Sequence, residues 1–250
     1  VPIKYSAQDG NPIKLQTKVS AYVSLTRETK GINMSRLVRT LYDHISNDLS
    51  VECILSLLHD YKASLESQDS YVKFRFNFPM QQRALRSGLK GWAYYSCVLE
   101  GRMNSLGFPK LYLTVDYIYS SACPCSYEMG QFITNQTGEP VVSHSQRSTA
   151  KVTVELDPNN ILYIEELIQT LREAIPTEVL VMCKREDEAE FARLNGANQL
   201  FCEDAARIAY EVLNENSKVL DFVVVCLHHE SLHKHDAVSV VCKGIEGGLT

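Results

Sequence analysis

Four imidazoles and a carboxylate crowd the stretch His228-His229-Glu230-Ser231-Leu232-His233-Lys234-His235. Imidazole titrates near neutral pH and binds divalent metals, so the cluster suits proton shuttling, metal ligation or both. Residues 229–233 match the letters of the His-Glu-x-x-His metalloprotease motif, which works only on a helix. Val223-Val224-Val225 before it and Val238-Ser239-Val240-Val241 after it predict strands, which argues against that reading. Cys123-Pro124-Cys125 is too closely spaced for a zinc ribbon. One thiol is a candidate ligand or nucleophile and the other structural; the plain alternative is two ordinary loop cysteines. His144-Ser145-Gln146-Arg147-Ser148 sets a histidine before a strand and an arginine three residues on. That is either a metal ligand with a phosphate-binding neighbour or a surface loop. Lys184-Arg185-Glu186-Asp187-Glu188 follows an apolar run, as a ligand-gathering strand end or a solvated turn with acids at a helix start. Glu203-Asp204-Ala205-Ala206-Arg207 also opens a helical pattern. Its acids are caps, or a carboxylate whose two oxygens match the paired N–H donors of a purine edge. There is no glycine-rich phosphate loop and no dinucleotide fingerprint, so side chains and loop backbone must hold any nucleotide.

The chain of 250 residues must position these groups with an ordinary composition, 45% hydrophobic and 22% charged. Its net charge of −5 gives none of the basic surplus of a nucleic-acid binder. No apolar run approaches the ~18 residues of a membrane span, so no membrane association is expected. The first residues lack the apolar stretch of a signal peptide. Of the eight cysteines, several sit inside apolar runs such as Leu180-Val181-Met182-Cys183 and Val225-Cys226-Leu227, where reduced cysteine packs as a small hydrophobe. A reducing, cytoplasmic setting is expected.

Hydrophobic spacing predicts a strand over 13–26, helices over 34–45 and 51–65, and a break at 47–50 with Ser50 as N-cap. Strict alternation over 71–78 and β-rich runs over 91–100 and 110–120 predict three strands. The second half restarts with a strand over 149–156, a helix over 161–174 and a short apolar strand over 178–184. Helices over 187–194 and 203–214 and strands over 219–227 and 237–243 complete it. Residues 121–148 read as a long irregular loop with candidate ligands at both ends. Antiparallel sheet with helices on one face is the α+β layout, and exposed sheet edges favour oligomers.

Taken together and in order, these segments, with Gly31-Ile32-Asn33-Met34-Ser35-Arg36-Leu37, resemble the type IB GTP cyclohydrolases. The resemblance implies a tunnelling fold: two tandem modules, residues 1–120 and 121–250, assembling into a homotetrameric barrel with active sites at subunit interfaces. It implies metal-dependent hydrolysis of GTP to 7,8-dihydroneopterin triphosphate and formate, an early step of folate-type synthesis. By the same resemblance Cys123, His144 and Glu188 form the shell of a divalent zinc, manganese or iron(II) ion. Cys123, Glu230 and His233 carry the catalysis, and Glu203 anchors the guanine. Arg36, Arg147, Lys184 and Arg185 are assigned to the triphosphate. Two departures stand out: Asn33 replaces a histidine frequent in the family, and the segment between Cys125 and His144 reads as an insertion, lid-like or disordered. The rival readings are a tunnelling-fold nitrile reductase with Cys123 as covalent nucleophile, and a purine-binding oligomer without turnover.

Overall fold

The computed structural model describes residues 1–45 and 48–249, so Asn47 of the expected break lies outside the described residues. The chain runs β1 (Pro2–Ser6), β2 (Pro12–Gln16), β3 (Lys18–Val23), α1 (Met34–Ile45), α2 (Val51–Leu65), β4 (Ser70–Arg83), β5 (Lys90–Met103) and β6 (Pro109–Ala122). It continues as α3 (Pro124–Thr137), β7 (Ser145–Leu156), α4 (Ile164–Ala174), α5 (Arg185–Ala197), α6 (Cys202–Asn214), β8 (Val219–His228) and β9 (Ala237–Cys242). Strands β3 to β9 form one antiparallel sheet in sequence order, and β1 with β2 makes a separate hairpin. The α+β class expected from the sequence is the class observed.

Period-2 burial explains which face the helices cover. Val72, Phe74, Phe76 and Phe78 of β4, Leu113, Val115, Tyr117 and Tyr119 of β6, and Phe222, Val224 and Cys226 of β8 all point into one core. Ile54, Leu57, Leu58 and Tyr61 of α2 and Ile164, Leu167, Ile168 and Leu171 of α4 meet them from the helical side. Contact is closest at Gly101 of β5. A Cβ there would lie 2.5 Å from Ile54 Cγ2 and 2.9 Å from Leu58 Cδ1, so only glycine lets α2 rest on the strand. Helix α2 starts where expected: Ser50 Oγ accepts from Cys53 N at 3.1 Å. Asn33 likewise caps α1, its Oδ1 accepting from Arg36 N at 3.0 Å.

Three sequence expectations are corrected. The strand over 13–26 is two strands: at Thr17 the chain leaves β1's partner for β4's, and Thr17 N donates to Val1 O instead. The first strand, β1, carried too short a pattern to be read. Residues 178–184 are not a strand. Strand β6 follows β5 only as far as the Val115–Cys97 pair, and the 177–179 segment fills the gap beyond. Ser120 N donates to Thr177 O, Val179 N donates to Ile118 O, and Gln82 clasps the segment through Val179 O and Val181 N. Finally, the stretch 121–148 holds a 14-residue helix, α3. Pro124 occupies its first turn and Gly138, at φ 76°, closes it in the left-handed conformation.

Candidate active site

Alternation along three neighbouring strands carries the core-facing side of the sheet into a polar end. On β6 the inward positions run Tyr117, Tyr119, Ser121 and then Cys123. On β7 they run backwards from Val152 through Ala150, Ser148 and Gln146 to His144. On β8 they run Val224, Cys226, His228 and then Glu230. The Ala122–Ser145 pair ends the β6–β7 ladder, and Cys123 N still donates to His144 O at 3.1 Å. Cys123 and His144 therefore stand opposite each other, where Cβ atoms of a cross-strand pair lie about 5 Å apart. His144 Nδ1 is 3.9 Å from Glu230 Oε2, and both side chains are mostly buried.

Beneath these three residues lies a continuous polar network, of which the sequence singled out His228 by its residue type. Gln146 bridges His144 and Glu230. Its Nε2 also donates to Ser121 Oγ at 3.0 Å. Ser121 Oγ bonds Ser148 Oγ at 2.8 Å and His228 Nδ1 at 3.2 Å, and His228 Nε2 meets Tyr119 OH at 2.9 Å. Ser121, Ser148, His228 and Tyr119 are all buried. The period-2 register running back from Val154 was the available signal. It was obscured because these inward positions are polar, where a strand core is expected to be apolar.

Burial pushes the His228 imidazole down from 6.5 to about 4, with the Glu203 carboxylate opposing the shift. The folded chain thus keeps His228 neutral in a range where the unfolded chain protonates it. Between pH 6.5 and about 4 the unfolded state binds more protons, so stability falls as pH falls through that window. The melting temperature should drop across this range, and His228→Gln should flatten the drop. Identical slopes in the two proteins would remove His228 from the account. Burial also pushes the Cys202 thiol up to about 11, with Glu203 and Glu230 adding to it, which keeps that cysteine unreactive. Cys202 Sγ lies 3.1 Å from Cys226 O, so the first turn of α6, which carries the exposed Glu203, packs on β8. Leu200 N donates to Ala122 O at 3.2 Å and brings the start of α6 beside Cys123.

The remaining expected residues are placed elsewhere. Glu188 is exposed on α5, with Cys183 Sγ 4.0 Å from its Oε1. Lys184 and Arg185 open α5, which Asp187 ties to the β4–β5 turn: its carboxylate accepts from Arg86 N, Ser87 N, Ser87 Oγ and Lys184 N. That turn lies at the same end of the sheet as Cys123. Arg147 is exposed and points to the face opposite Gln146 and Ser148. Arg36 donates to Ser64 O at 2.6 Å, near the junction of α2 with β4, at the other end of strands 14 residues long. His233 lies in the exposed β8–β9 loop, stacked on His235 with centroids 4.8 Å apart. That loop is not helical, which fits the exclusion of a metalloprotease helix.

A thiolate and an imidazole facing each other make a donor pair suited to a divalent transition metal. Among the described residues of one chain, no three His, Cys, Asp or Glu side chains gather closely enough to hold a metal. Cys123 and His144 therefore fit as part of a shell. No helix among the described residues is long and apolar enough to cross a membrane.

An α+β architecture and a Cys/His/Glu site at a sheet end now meet what is known of other proteins. The model of the type I GTP cyclohydrolase folE2 family matches residues 1–239, and the chain belongs to that family. It is 46% identical over 244 residues to GTP cyclohydrolase FolE2 of Cereibacter sphaeroides (strain ATCC 17025 / ATH 2.4.3), covering 98% of this chain and 68% of that protein. It is 46% identical over 246 residues to GTP cyclohydrolase FolE2 of Dinoroseobacter shibae, covering 98% of this chain and 67% of that one. Among solved structures, the uricase of Arthrobacter globiformis aligns with TM-score 0.58 at 8% identity, covering 100% of this chain and 93% of that chain. A hyperthermostable urate oxidase mutant from Bacillus sp. TB-90 aligns at 0.54 and 9% identity, covering 94% and 88%. At such identities these two structures speak to the fold alone, and the fold they share is the tunnelling fold.

Proposed function

We propose that this chain is a GTP cyclohydrolase I, hydrolysing GTP to 7,8-dihydroneopterin triphosphate and formate. The observation that carries the reading is the meeting of Cys123, His144 and Glu230 at one sheet end, with the start of α6, which bears Glu203, tied beside Cys123, in a chain of this family. Glu203 binds the guanine edge through its two carboxylate oxygens. Glu230 and His233 move protons as the imidazole ring opens and formate leaves. Lys184 and Arg185, held by Asp187, face the triphosphate, and Arg147 adds charge from the opposite face of β7.

Cys123 and His144 would hold a divalent zinc, manganese or iron(II) ion, and Glu188 would join them in the assembled protein. Such an ion supplies a water acidic enough to ionise near neutral pH. Within one chain Arg36 lies at the far end of the sheet, so it serves the site of a neighbouring copy. That placement supports a homo-oligomer, a tetramer of bimodular chains, with active sites between subunits. The exposed edges β3 and β9 are suited to such pairing.

The test is turnover of GTP by metal-stripped protein resupplied with zinc, manganese or iron(II) in turn. Metal-restored release of formate and a pterin triphosphate is expected. Activity indifferent to chelation would point to a thiol-based mechanism, and no product with any metal would defeat the reading.

A further inference from the structure

We propose that Gln146 is a positioning residue that fixes the tautomer of His144 and holds Glu230 beside it, leaving His144 Nε2 as the nitrogen offered to the reacting centre. The catalytic consequence rests on the cyclohydrolase reading; the tautomer itself does not.

Gln146 is 8% exposed and sits between His144 and Ser148 on the inward side of β7. Its amide Nε2 lies 3.0 Å from Ser121 Oγ and 3.4 Å from Glu230 Oε1, and its Oε1 lies 3.1 Å from His144 Nδ1. The partners dictate which way the amide points. A carboxylate only accepts, so the group facing Glu230 must be the NH2. A flipped amide would set Oε1 against the carboxylate oxygen, acceptor on acceptor. With NH2 on that side, Oε1 faces the imidazole, and an amide oxygen also only accepts. The contact is a hydrogen bond only when His144 Nδ1 carries the proton. Nε2 then keeps its lone pair, as a ligand or base nitrogen needs.

The far end of the network makes this arrangement stiff. Ser121 has one proton and two lone pairs, and three partners use them: Gln146, Ser148 and His228. His228 is fixed in turn by Tyr119 OH, and both are buried. Gln146 therefore cannot swing to follow either His144 or Glu230. The site's imidazole and carboxylate are referenced to the sheet core through one amide.

The decisive experiment is 15N NMR of the His144 ring in the metal-free, GTP-free protein, compared with Gln146→Met and Gln146→Glu. Wild type is expected to show a protonated Nδ1 and a bare Nε2. Gln146→Met, similar in size but without an amide, should lose that single form, with kcat falling about 10- to 100-fold while KM for GTP barely moves. Gln146→Glu keeps an acceptor for Nδ1–H and should restore the tautomer. It should not restore kcat, because it sets a second carboxylate against Glu230. If Gln146→Met fails to fold, Gln146→Glu decides alone: protonated Nδ1 supports the proposal and protonated Nε2 overturns it. A wild-type ring protonated at Nε2 overturns it, as does a Gln146→Met ring still locked at Nδ1–H. A wild type that shows the expected tautomer but no GTP turnover would sink the functional reading and leave this one standing.

Discussion

Cys123→Ala is expected to lower GTP turnover by about a thousandfold or more, with a parallel loss of bound metal. Alanine here removes a thiol and little else. The backbone of Cys123 is held without it: N donates to His144 O at 3.1 Å, and the carbonyl accepts from Ser143 Oγ at 2.9 Å. Helix α3 begins at the next residue with proline, which needs no N–H partner there. The melting temperature of metal-free protein should therefore change little, which separates the loss from misfolding. Cys125 gives the contrast. It is exposed in the first turn of α3, where the strand alternation that aims Cys123 inward has ended. Cys125→Ala should keep activity within about twofold, as surface substitutions do. Metal content and formate release measured on the two variants decide the matter. Equal sensitivity would mean that the pair acts together, and full activity in Cys123→Ala would remove the thiol from the site.

Sequence periodicity made most of this architecture legible. Strict alternation over 72–76 and 152–156, and apolar stripes such as Ile54, Leu57, Leu58 and Tyr61, are strong because one face of each element is buried and the other is not. Segments that serve two partners were misread. Residues 178–184 look like a strand because Val179 and Leu180 are apolar, yet they plug a gap between splaying strands and use side-chain bonds from Gln82. Helix α3 was missed although Pro124 and Gly138 bracket it, because its apolar residues Met129, Phe132 and Ile133 stay exposed and give little amphipathic signal. The candidate site divides similarly. Cys123, His144 and Glu230 stood out by residue type, but no local pattern joins residues 21 and 86 positions apart; the β6–β7–β8 register does. Gln146, Ser121 and Ser148 were hidden because a polar residue at an inward position is unremarkable until its partners are known, and His228 stood out as an imidazole without its buried place being legible.

Glu203→Ala is expected to weaken GTP binding by roughly 10²- to 10⁴-fold, the loss of two charge-assisted hydrogen bonds of about 1.5–3 kcal/mol each. The alternative role for this residue, capping α6, is already filled. Asp204 Oδ2 accepts from Phe201 N at 3.1 Å, and Asp204 pairs with Arg207 within the first turn. Among the described residues Glu203 makes no side-chain hydrogen bond, and it is exposed, so its carboxylate remains available to a ligand. Two acceptors side by side match the ring N–H and the exocyclic amine of guanine. Glu203→Gln should not rescue binding, because its NH2 would face one of those donors. Asp204→Ala should instead cost about 1 kcal/mol of stability and leave GTP affinity nearly intact. Inosine triphosphate, which lacks the exocyclic amine, makes the assignment specific. Wild type should prefer GTP to inosine triphosphate, and in Glu203→Ala the two should bind alike, because the group that senses the amine is gone. Calorimetric titration of both nucleotides against both proteins measures that coupling directly. An undiminished preference for GTP in the alanine variant would place guanine recognition elsewhere and leave Glu203 as an unpaired surface acid.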